Sequence, residues 1–311
     1  MNPVFAIIGA TATGKTALAL ALANDLPIEI ISMDSALIYQ DMNIGTAKPT
    51  ATELATCPHH LIDIKTPLQS YSAADSVADC VRLCDEISAR GNIPLIVGGT
   101  MMYFRALTQG LNNLPSADNA VRAVLQNEKE QYGLNYLYSE LQKIDPQTAA
   151  KIKPTDSQRI ERALEVFRIT GIPMSVLLNE QQMPALSVKA FGLMPNVRQH
   201  LHEAIEKRFN MMINQGFLDE VNYLKIKYPD LTLDYPSMRC VGYRQAWQHL
   251  SGETDFKTFV NQGIAATRQL AKRQITWLRS FNLPLYDYSQ NPQAVFDDLI
   301  NQIKSISGCL K

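Results

Sequence analysis

The sequence predicts an α/β fold: a parallel β-sheet core with helices on both faces and a helical insertion. Three observations support this prediction. Residues 4–9 (VFAIIG) form a continuous apolar run that ends in a glycine-rich loop, as a buried parallel strand does. Over the first third of the chain, such runs alternate with helical patterns, which is typical of strands joined by crossover helices. Residues 119–183 then carry helical patterns and no convincing strand.

The elements of the first third follow one another in a regular order. An alanine- and leucine-rich helix is predicted from residue 16 to about residue 23. Residues 28–32 (IEIIS) and 93–97 (IPLIV) are predicted to be the second and third strands. Between them, a helix begins at Ser72, whose hydroxyl can accept a hydrogen bond from a first-turn amide, and ends at Gly91. Parallel strands of this kind bring their carboxyl ends to one edge of the sheet.

The clearest helix of the insertion is predicted at residues 155–171 (TDSQRIERALEVFRITG). Thr155 and Gln158 have the spacing of a capping box, and Gly171 ends the helix. Strand character returns at residues 187–194 (SVKAFGLM), and the remainder of the chain is mainly helical.

The chain has 311 residues, enough for one large domain or a domain with a substantial insertion. We predict a core of residues 1–118 and 184–311, interrupted by a helical insertion of residues 119–183. With 46% hydrophobic and 19% charged residues, a soluble globular fold is expected. No apolar run approaches the ~20 residues of a spanning helix, so we expect no membrane association. The N-terminus lacks the basic segment of a signal peptide, which favours a cytoplasmic protein that we expect to be a monomer.

Charge and cysteine content narrow the function further. The net charge of −1 argues against a protein that coats nucleic acid nonspecifically. A protein with this net charge can still have a local basic surface. The five cysteines form no CxxC pair, which favours reduced thiols over a disulfide framework. Cys80 and Cys84 are spaced to lie on the buried face of one helix, and for His59 and His60 we expect a structural role.

The motif with the strongest chemical meaning is GATATGKT (residues 9–16), which matches the P-loop pattern G-x-x-x-x-G-K-[ST]. It follows a predicted strand and opens a predicted helix, which is the context that the motif requires. Glycines let backbone amides converge on phosphate oxygens at the positive end of a helix. Lys15 adds a full positive charge, and the Thr16 hydroxyl can bind Mg²⁺. The motif predicts phosphate binding within a P-loop NTPase-like core.

The acidic residue that an ATPase usually carries after a second strand is not where it would be expected. The strand at 93–97 ends in Gly98-Gly99-Thr100, without a carboxylate. Asp34 instead follows the strand at 28–32, at the edge where open α/β sheets bind ligands. Asp34 is therefore a candidate general base or metal-linked carboxylate, and the alternative is a helix N-cap.

Several strings resemble the bacterial tRNA dimethylallyltransferases (tRNA isopentenyl/dimethylallyl diphosphate transferases) in order and spacing over nearly the whole chain. They are GATATGKT (9–16), SMDSALIYQDMNIGTAKP (32–49), PHHLID (58–63), GGTMMYFRAL (98–107), DSQRIERALEV (156–166), EKRFNMMINQGFLDEV (206–221), RCVGYRQ (239–245) and KRQITWLR (272–279). One departure is Ala10, which stands where the family usually has proline. Proline donates no N–H, so this departure should not impair function.

The resemblance implies transfer of a dimethylallyl group from dimethylallyl diphosphate to N6 of the adenosine next to the 3′ end of the anticodon in tRNA, with Mg²⁺ bridging diphosphate oxygens. Asp34 would be the general base and Thr100 a hydrogen-bonding partner near the reacting amine. The adenosine would be extruded from its stack, as base-modifying enzymes require. The residues implied to bind the diphosphate are Gly9, Ala10, Thr11, Ala12, Thr13, Gly14, Lys15, Thr16 and Arg208, with Thr16 also on the metal.

Contacts with tRNA are implied for the adenosine site and for three groups of basic residues. At ~100° per residue, Arg268, Lys272 and Arg279 fall within about 40° of one another on a helix, which supports a basic stripe over isolated charges. The implied tRNA-binding residues are Asp34, Ser35, Ala36, Leu37, Thr100, Arg122, Gln158, Arg159, Ile160, Glu161, Arg162, Arg239, Cys240, Val241, Gly242, Tyr243, Arg244, Arg268, Lys272, Arg273, Gln274, Ile275, Thr276, Trp277, Leu278 and Arg279.

Three other functions share part of these features. A P-loop nucleotide kinase has the same loop, and the insertion could be its lid. An adenylate isopentenyltransferase performs the same chemistry on free nucleotide, but the insertion and the basic stripe favour a macromolecular acceptor. A non-catalytic RNA-binding protein would need neither the complete P-loop nor Asp34.

Overall fold

In the computed structural model, which describes residues 3–112, 114–179 and 183–308, six strands form one parallel sheet. In chain order they are β1 (Val4–Gly9), β2 (Ile28–Met33), β3 (His59–His60), β4 (Ile93–Gly98), β5 (Val188–Leu193) and β6 (Leu285–Tyr286). Their order across the sheet is β3-β2-β4-β1-β5-β6, and each neighbouring pair is parallel. The strands predicted at 4–9, 28–32, 93–97 and 187–194 are confirmed to within one residue at either end. The two edge strands β3 and β6 were not predicted, because two residues are too few to show a period.

Helices and one 3₁₀ turn connect and cover the strands. In chain order the helices are α1 (Lys15–Asp25), α2 (Ala51–Thr56), α3 (Ala73–Ala89), α4 (Met101–Gln109), α5 (Asn119–Tyr132), α6 (Leu134–Ile144), α7 (Pro146–Ala149), α8 (Ser157–Thr170), α9 (Met174–Leu177), α10 (Arg198–Asn214), α11 (Phe217–Lys227), α12 (Tyr243–Leu250), α13 (Phe256–Leu278) and α14 (Pro292–Ser307), and the 3₁₀ turn is Pro236–Arg239. Ser72 caps α3, as predicted, and it also forms a reciprocal capping box with Asp75.

The sheet is covered by an apolar layer on each face. On one face, α1 contributes Leu18 and Leu22 and α14 contributes Leu299 to a core built on the β1, β2 and β4 side chains. On the other face, α3 contributes Cys80 and Cys84, both fully buried as the helical spacing predicted. Four cysteines are buried or half-buried free thiols, and Cys309 lies outside the described residues. The all-apolar β1 strand is explained by this burial on both faces.

The helices α10–α13 build a further core dominated by aromatic rings. Phe217 packs edge-on against Tyr243 at 5.1 Å between ring centroids, and Phe209 contacts Phe217 and Phe259. Gly45 belongs to the loop that this core supports. A Cβ atom on Gly45 would lie 2.2 Å from Phe217 and 2.7 Å from Tyr243, so only glycine fits this position. The aromatic core therefore fixes the path of residues 43–47.

The described parts of residues 109–183 form one compact unit, and those of residues 1–108 and 184–311 form the other. Within the smaller unit, helices α5–α9 pack around buried Leu137, Leu141 and Leu164. The helix predicted at 155–171 is present, but its capping box is wrong. Asp156 is the N-cap, and its carboxylate accepts a hydrogen bond from the Arg159 amide at 3.3 Å. The helix begins one residue later than predicted, since a carboxylate is a better N-cap acceptor than the preceding threonine.

None of the described helices is long and apolar enough to cross a membrane.

Candidate active site

The P-loop joins β1 to α1 and has the strained geometry that its glycines allow. Gly14 precedes α1 with φ of 86°, in the left-handed region that favours glycine. A Cβ atom there would also lie 2.6 Å from the ring of Tyr288. The loop turns back on itself through the Ala10 carbonyl, which accepts hydrogen bonds from Thr13 Oγ1 at 2.8 Å and Lys15 Nζ at 2.7 Å. The loop amides are thereby directed at the space before the helix N-terminus, where an anion binds.

Two half-buried cations line this space. Burial lowers the pKa of Lys15 to about 8, Asp34 opposes this effect and Arg208 adds to it. Arg208, which projects from α10, donates a hydrogen bond to Thr11 Oγ1 of the loop. Burial also lowers the pKa of Arg208, again opposed by Asp34. Two desolvated cations beside a helix N-terminus form a site that a multiply charged anion would stabilise.

A cavity of about 210 Å³ opens at this point. The P-loop residues Thr11–Thr16, Arg208 and Asp34 form its charged wall. Much of the remaining wall is apolar and includes Ile30, Val97 and Ala19. The cavity therefore has a charged part and an apolar part in its wall.

Asp34 and Thr100 lie at adjacent strand ends, as the sequence predicted. Asp34 follows β2, and its Oδ1 accepts a hydrogen bond from the Ala36 amide at 2.9 Å. Residues 35–38 form turns, so Asp34 caps a turn and is not the N-cap of a helix. Thr100 Oγ1 accepts a hydrogen bond from the Ser35 amide at 2.9 Å and lies 3.3 Å from Ser35 Oγ. These bonds tie the Asp34 turn to the loop after β4 and leave Asp34 Oδ2 without a hydrogen bond from any described residue.

Gln274 of α13 connects the P-loop to the loop after β4. Its Oε1 accepts a hydrogen bond from the Thr11 amide at 2.9 Å, and its Nε2 donates one to the Gly99 carbonyl at 2.9 Å. Gln274 was expected to contact tRNA, but both ends of its amide are used inside the protein. Its role here is to hold the phosphate-binding loop beside Thr100.

One segment of the cavity wall is held by Glu220, which sequence reasoning did not single out. Its two carboxylate oxygens accept hydrogen bonds from the amides of Asn43 (2.8 Å), Ile44 (2.7 Å) and Gly45 (3.1 Å). The Tyr243 hydroxyl donates a fourth at 2.6 Å. The residues that follow, Thr46, Ala47 and Pro49, line the cavity. Glu220 lies in the family string EKRFNMMINQGFLDEV, but a carboxylate that binds amides distant in sequence has no local pattern by which it could be recognised.

Three residues expected to contact tRNA are fully buried. Tyr243 donates its hydroxyl to Glu220, and burial raises its pKa well above the usual range. Leu278 belongs to the core on one face of the sheet, and Ile160 to the core of the insertion. Their side chains therefore support the surfaces beside them and are not themselves surface contacts in this structure. Ile275 is half-buried and packs beside the P-loop residue Ala12.

The basic residues of the insertion divide into paired and exposed side chains. The buried carboxylate of Glu165 binds Arg122 Nε and Arg162 Nη1 at 2.7 Å each. Arg159 and Gln158 are exposed, and Arg159 has a 3.4 Å contact with Asp156. Glu161 is engaged by Lys129 at 2.7 Å. Within this unit, Arg122 and Arg162 therefore have a structural partner in addition to any ligand.

The other two basic groups lie in the larger unit. Arg239 and Arg244 are exposed and donate to the carbonyls of Asp234 (3.4 Å) and Leu233 (2.9 Å), while Gly242 between them is buried. The remaining residues of that string, Cys240 and Val241, are half-buried.

The helix α13 carries the third group. Arg268 pairs with Glu206 at 2.7 Å, so this member of the stripe is partly neutralised. Lys272, Arg273 and Arg279 are exposed. Thr276 is also exposed, and Trp277 is half-buried with Arg105 lying 5.8 Å from its ring centroid. The exposed cations at the C-terminal end of α13 form the best candidate surface for a polyanion on this helix.

Most of the chain is similar to proteins of one known family. The model of the IPP transferase family matches residues 37–281. The chain is 62% identical over 277 residues to a tRNA dimethylallyltransferase of Neisseria meningitidis serogroup C (strain 053442), covering 88% of each chain. It is 55% identical over 278 residues to a tRNA dimethylallyltransferase of Chromobacterium violaceum, covering 89% of this chain and 86% of the relative.

Two solved structures are also similar to this chain. The full-length tRNA isopentenylpyrophosphate transferase from Bacillus halodurans is similar with a TM-score of 0.70 and 33% identity, over 99% of each chain. A eukaryotic dimethylallyltransferase acting on tRNA is similar with a TM-score of 0.79 and 25% identity, over 97% of this chain and 80% of that one.

Proposed function

This chain belongs to the IPP transferase family, and from that membership and its site we propose that it transfers the dimethylallyl group of dimethylallyl diphosphate to N6 of the adenosine next to the 3′ end of the anticodon in tRNA. Diphosphate is the second product. The observation that carries the proposal is the convergence of Lys15, Arg208 and the N-terminus of α1 on a cavity that also contains Asp34. Phosphate-binding groups and a candidate base thus face one small space.

The P-loop and Arg208 bind the diphosphate and stabilise the charge that develops on it. As the bond from the allylic carbon to the diphosphate oxygen breaks, its electron pair passes to the diphosphate. Lys15, Arg208 and the loop amides are fixed around this position before the reaction begins, so they need little reorganisation. A preorganised set of donors is more effective here than water would be.

A magnesium ion fits the same end of the cavity. Mg²⁺ is usually held by one or two protein oxygens together with substrate phosphates, and the Thr16 hydroxyl beside the loop is suited to that role. The described residues contain no group of three or more histidine, cysteine or acidic side chains that could hold a metal alone, which fits an ion that depends on the substrate. When bound, Mg²⁺ would supply further positive charge to the leaving diphosphate.

Asp34 acts on the acceptor. The exocyclic N6 of adenine is a weak nucleophile, and alkylation leaves it positively charged unless a proton departs. The carboxylate of Asp34 accepts that proton as the new N6–C bond forms. Oδ1 is held by the Ala36 amide, and Thr100 fixes the turn through Ser35, so Asp34 is positioned and Oδ2 is the oxygen to which we assign the proton.

Transfer to tRNA is tested directly with three reactions. The protein is incubated with dimethylallyl diphosphate, Mg²⁺ and unmodified tRNA, and the digested tRNA is examined for N6-dimethylallyladenosine by mass spectrometry. Parallel reactions offer AMP in place of tRNA, or ATP together with AMP in place of both substrates. We expect N6-dimethylallyladenosine only in the reaction that contains both tRNA and dimethylallyl diphosphate. Efficient modification of free AMP, or phosphoryl transfer from ATP, would reject the proposal in favour of an adenylate isopentenyltransferase or a nucleotide kinase.

A further inference from the structure

Two polar atoms in the cavity wall have no hydrogen-bond partner in the described part of the chain. They are Ser32 Oγ, on a serine that is only 5% exposed, and His59 Nε2. Both residues line the cavity. Two other hydroxyls in the wall are engaged, since Thr13 donates to the Ala10 carbonyl and Thr46 to that of Met42. A buried polar group without a partner costs about 1–3 kcal/mol, so these two exceptions point to a ligand.

The sheet places the two atoms on one face. Side chains alternate along a strand, so Ile30 and Ser32 of β2 project to the same side. His59 of β3 is the register partner of Ile30. Val97 of β4 and Ala19 of α1 line the same cavity, so the two polar groups lie in a largely apolar wall.

The hydrogen-bonding character of this pair is defined. His59 Nδ1 lies 2.8 Å from the Cys57 carbonyl, which can only accept, so Nδ1 carries the proton and Nε2 is an acceptor. Ser32 offers one hydroxyl donor. A ligand hydroxyl is complementary to both, because it can donate to His59 Nε2 and accept from Ser32 Oγ. A methyl group can do neither.

We propose that the cavity also accepts a five-carbon allylic diphosphate that carries a hydroxyl group at the end remote from the diphosphate, with this hydroxyl bound by Ser32 Oγ and His59 Nε2. The inference rests on the proposed function, because the diphosphate end is assigned to Lys15 and Arg208. The bond changes are those of dimethylallyl transfer. The allylic C–O bond breaks with its electrons on the diphosphate, the N6–C bond forms, and the N6 proton passes to Asp34. The hydroxyl is carried into the product unchanged.

The experiment compares kcat/KM for the hydroxylated diphosphate with kcat/KM for dimethylallyl diphosphate on unmodified tRNA. We expect wild-type protein to use both compounds and Ser32→Ala to lower the ratio of the two values by roughly 5–20-fold, the loss of about one hydrogen bond. His59→Phe, which keeps a ring but no nitrogen, should lower the same ratio. Ser88→Ala is the matched control, because Ser88 Oγ is also buried without a partner but does not line the cavity. Its ratio should equal that of wild type.

The outcomes separate this inference from the function on which it rests. If wild type transfers the dimethylallyl group but Ser32→Ala leaves the ratio unchanged, the two atoms hold a water molecule only and the inference fails. If wild type transfers neither group to tRNA, the proposed function fails. Calorimetric titration without tRNA then still decides the site, because tighter binding of the hydroxylated compound that is lost in Ser32→Ala supports it and equal binding rejects it.

Discussion

At the scale of single residues, the chemistry depends on Asp34, whose turn is fixed by Ala36 and Thr100. Asp34→Asn keeps the shape and part of the hydrogen bonding but cannot accept a proton. We expect it to slow the chemical step by about 10²–10⁴-fold while changing substrate affinity far less. Single-turnover transfer at saturating tRNA and dimethylallyl diphosphate measures that step. A wild-type rate for Asp34→Asn would leave the aspartate with only its turn-capping role.

Lys15 is a P-loop residue whose charge depends on pH, because its pKa is lowered to about 8. Burial lowers its pKa to about 8, so the ammonium is present below pH 8 and is lost as the pH rises above it. Diphosphate binding favours the charged form, and affinity should therefore weaken above about pH 8. Lys15→Ala should weaken binding by roughly 10–100-fold at pH 7 and remove this pH dependence.

Isothermal titration of wild type and Lys15→Ala with dimethylallyl diphosphate at several pH values checks both expectations. Binding of tRNA, measured on the same proteins, is the control and should be nearly unchanged, because Lys15 is tied to the Ala10 carbonyl within the loop. Equal losses for the two ligands would mean that the sites are not separate.

At the scale of elements, the Glu220 carboxylate shapes the cavity by holding three successive amides of residues 43–45. Glu220→Gln places an NH₂ group against donors and leaves at least one amide without an acceptor, a cost of about 1–3 kcal/mol. We expect a fall of about tenfold in kcat/KM for the allylic diphosphate, together with a lower melting temperature.

The control is Asp219→Asn, an exposed acid in the same first turn of α11. It should match wild type in steady-state kinetics and thermal melting. Indistinguishable behaviour of Glu220→Gln and Asp219→Asn would show that the 43–45 loop needs no carboxylate.

The helix α13 has two faces with different tasks. Gln274 faces the P-loop, whereas Lys272 and Arg279 are exposed. Replacing both exposed cations with alanine should lower tRNA affinity and reduce the slope of log K against log salt by roughly 0.7–0.9 for each lost phosphate contact. Filter binding over a range of salt concentrations measures the slope. Arg268→Ala should have a smaller effect, because Glu206 already engages that side chain. A slope unaffected by the double substitution would reduce the stripe to a solvated helix face.

At the scale of the whole molecule, the cluster around the buried carboxylate of Glu29 contributes to stability in acid. Hydrogen bonds from Arg90 hold the pKa of Glu29 at about 2 against the opposing effect of burial, and Asn92 and His60 add to them. The cluster stabilises the fold fully above the unfolded pKa near 4.5, and this stabilisation is lost as the pH falls from there towards 2.

Urea unfolding of wild type and Glu29→Gln tests the cluster. We expect Glu29→Gln to be less stable by roughly 2–3 kcal/mol at pH 7, and the difference to shrink as the pH falls through 4 towards 3. Asp85→Asn, at an exposed position of helix α3, is a matched control for the loss of one surface charge. A difference that stays constant from pH 7 to pH 3 would mean that ionisation of Glu29 does not stabilise the fold.

The main strands and the P-loop could be predicted from the sequence because their signals are local. An apolar run followed by G-x-x-x-x-G-K-[ST] predicts both a buried strand and the phosphate-binding loop after it. The run at 188–193 likewise predicts a strand from adjacent residues alone. Glu220 and Gln274 could not be assigned their roles, since their partners lie 175–177 and 175–263 positions away in the chain. Contacts with tRNA were expected over whole segments that resemble the family, because a resemblance does not show which side chains of a segment face inward. The buried residues Tyr243, Leu278 and Ile160 were therefore included.

The two-residue strands β3 and β6 at the margins of the sheet affect how readily the folded protein aggregates at high concentration. A long exposed edge is a template on which a second chain can add a strand, and such pairing is a common route to aggregation. Here each margin offers only two residues of ladder, His59–His60 and Leu285–Tyr286, while the long apolar strands lie between them. The four strands most prone to pair with another molecule are therefore the four that have a neighbour on both sides.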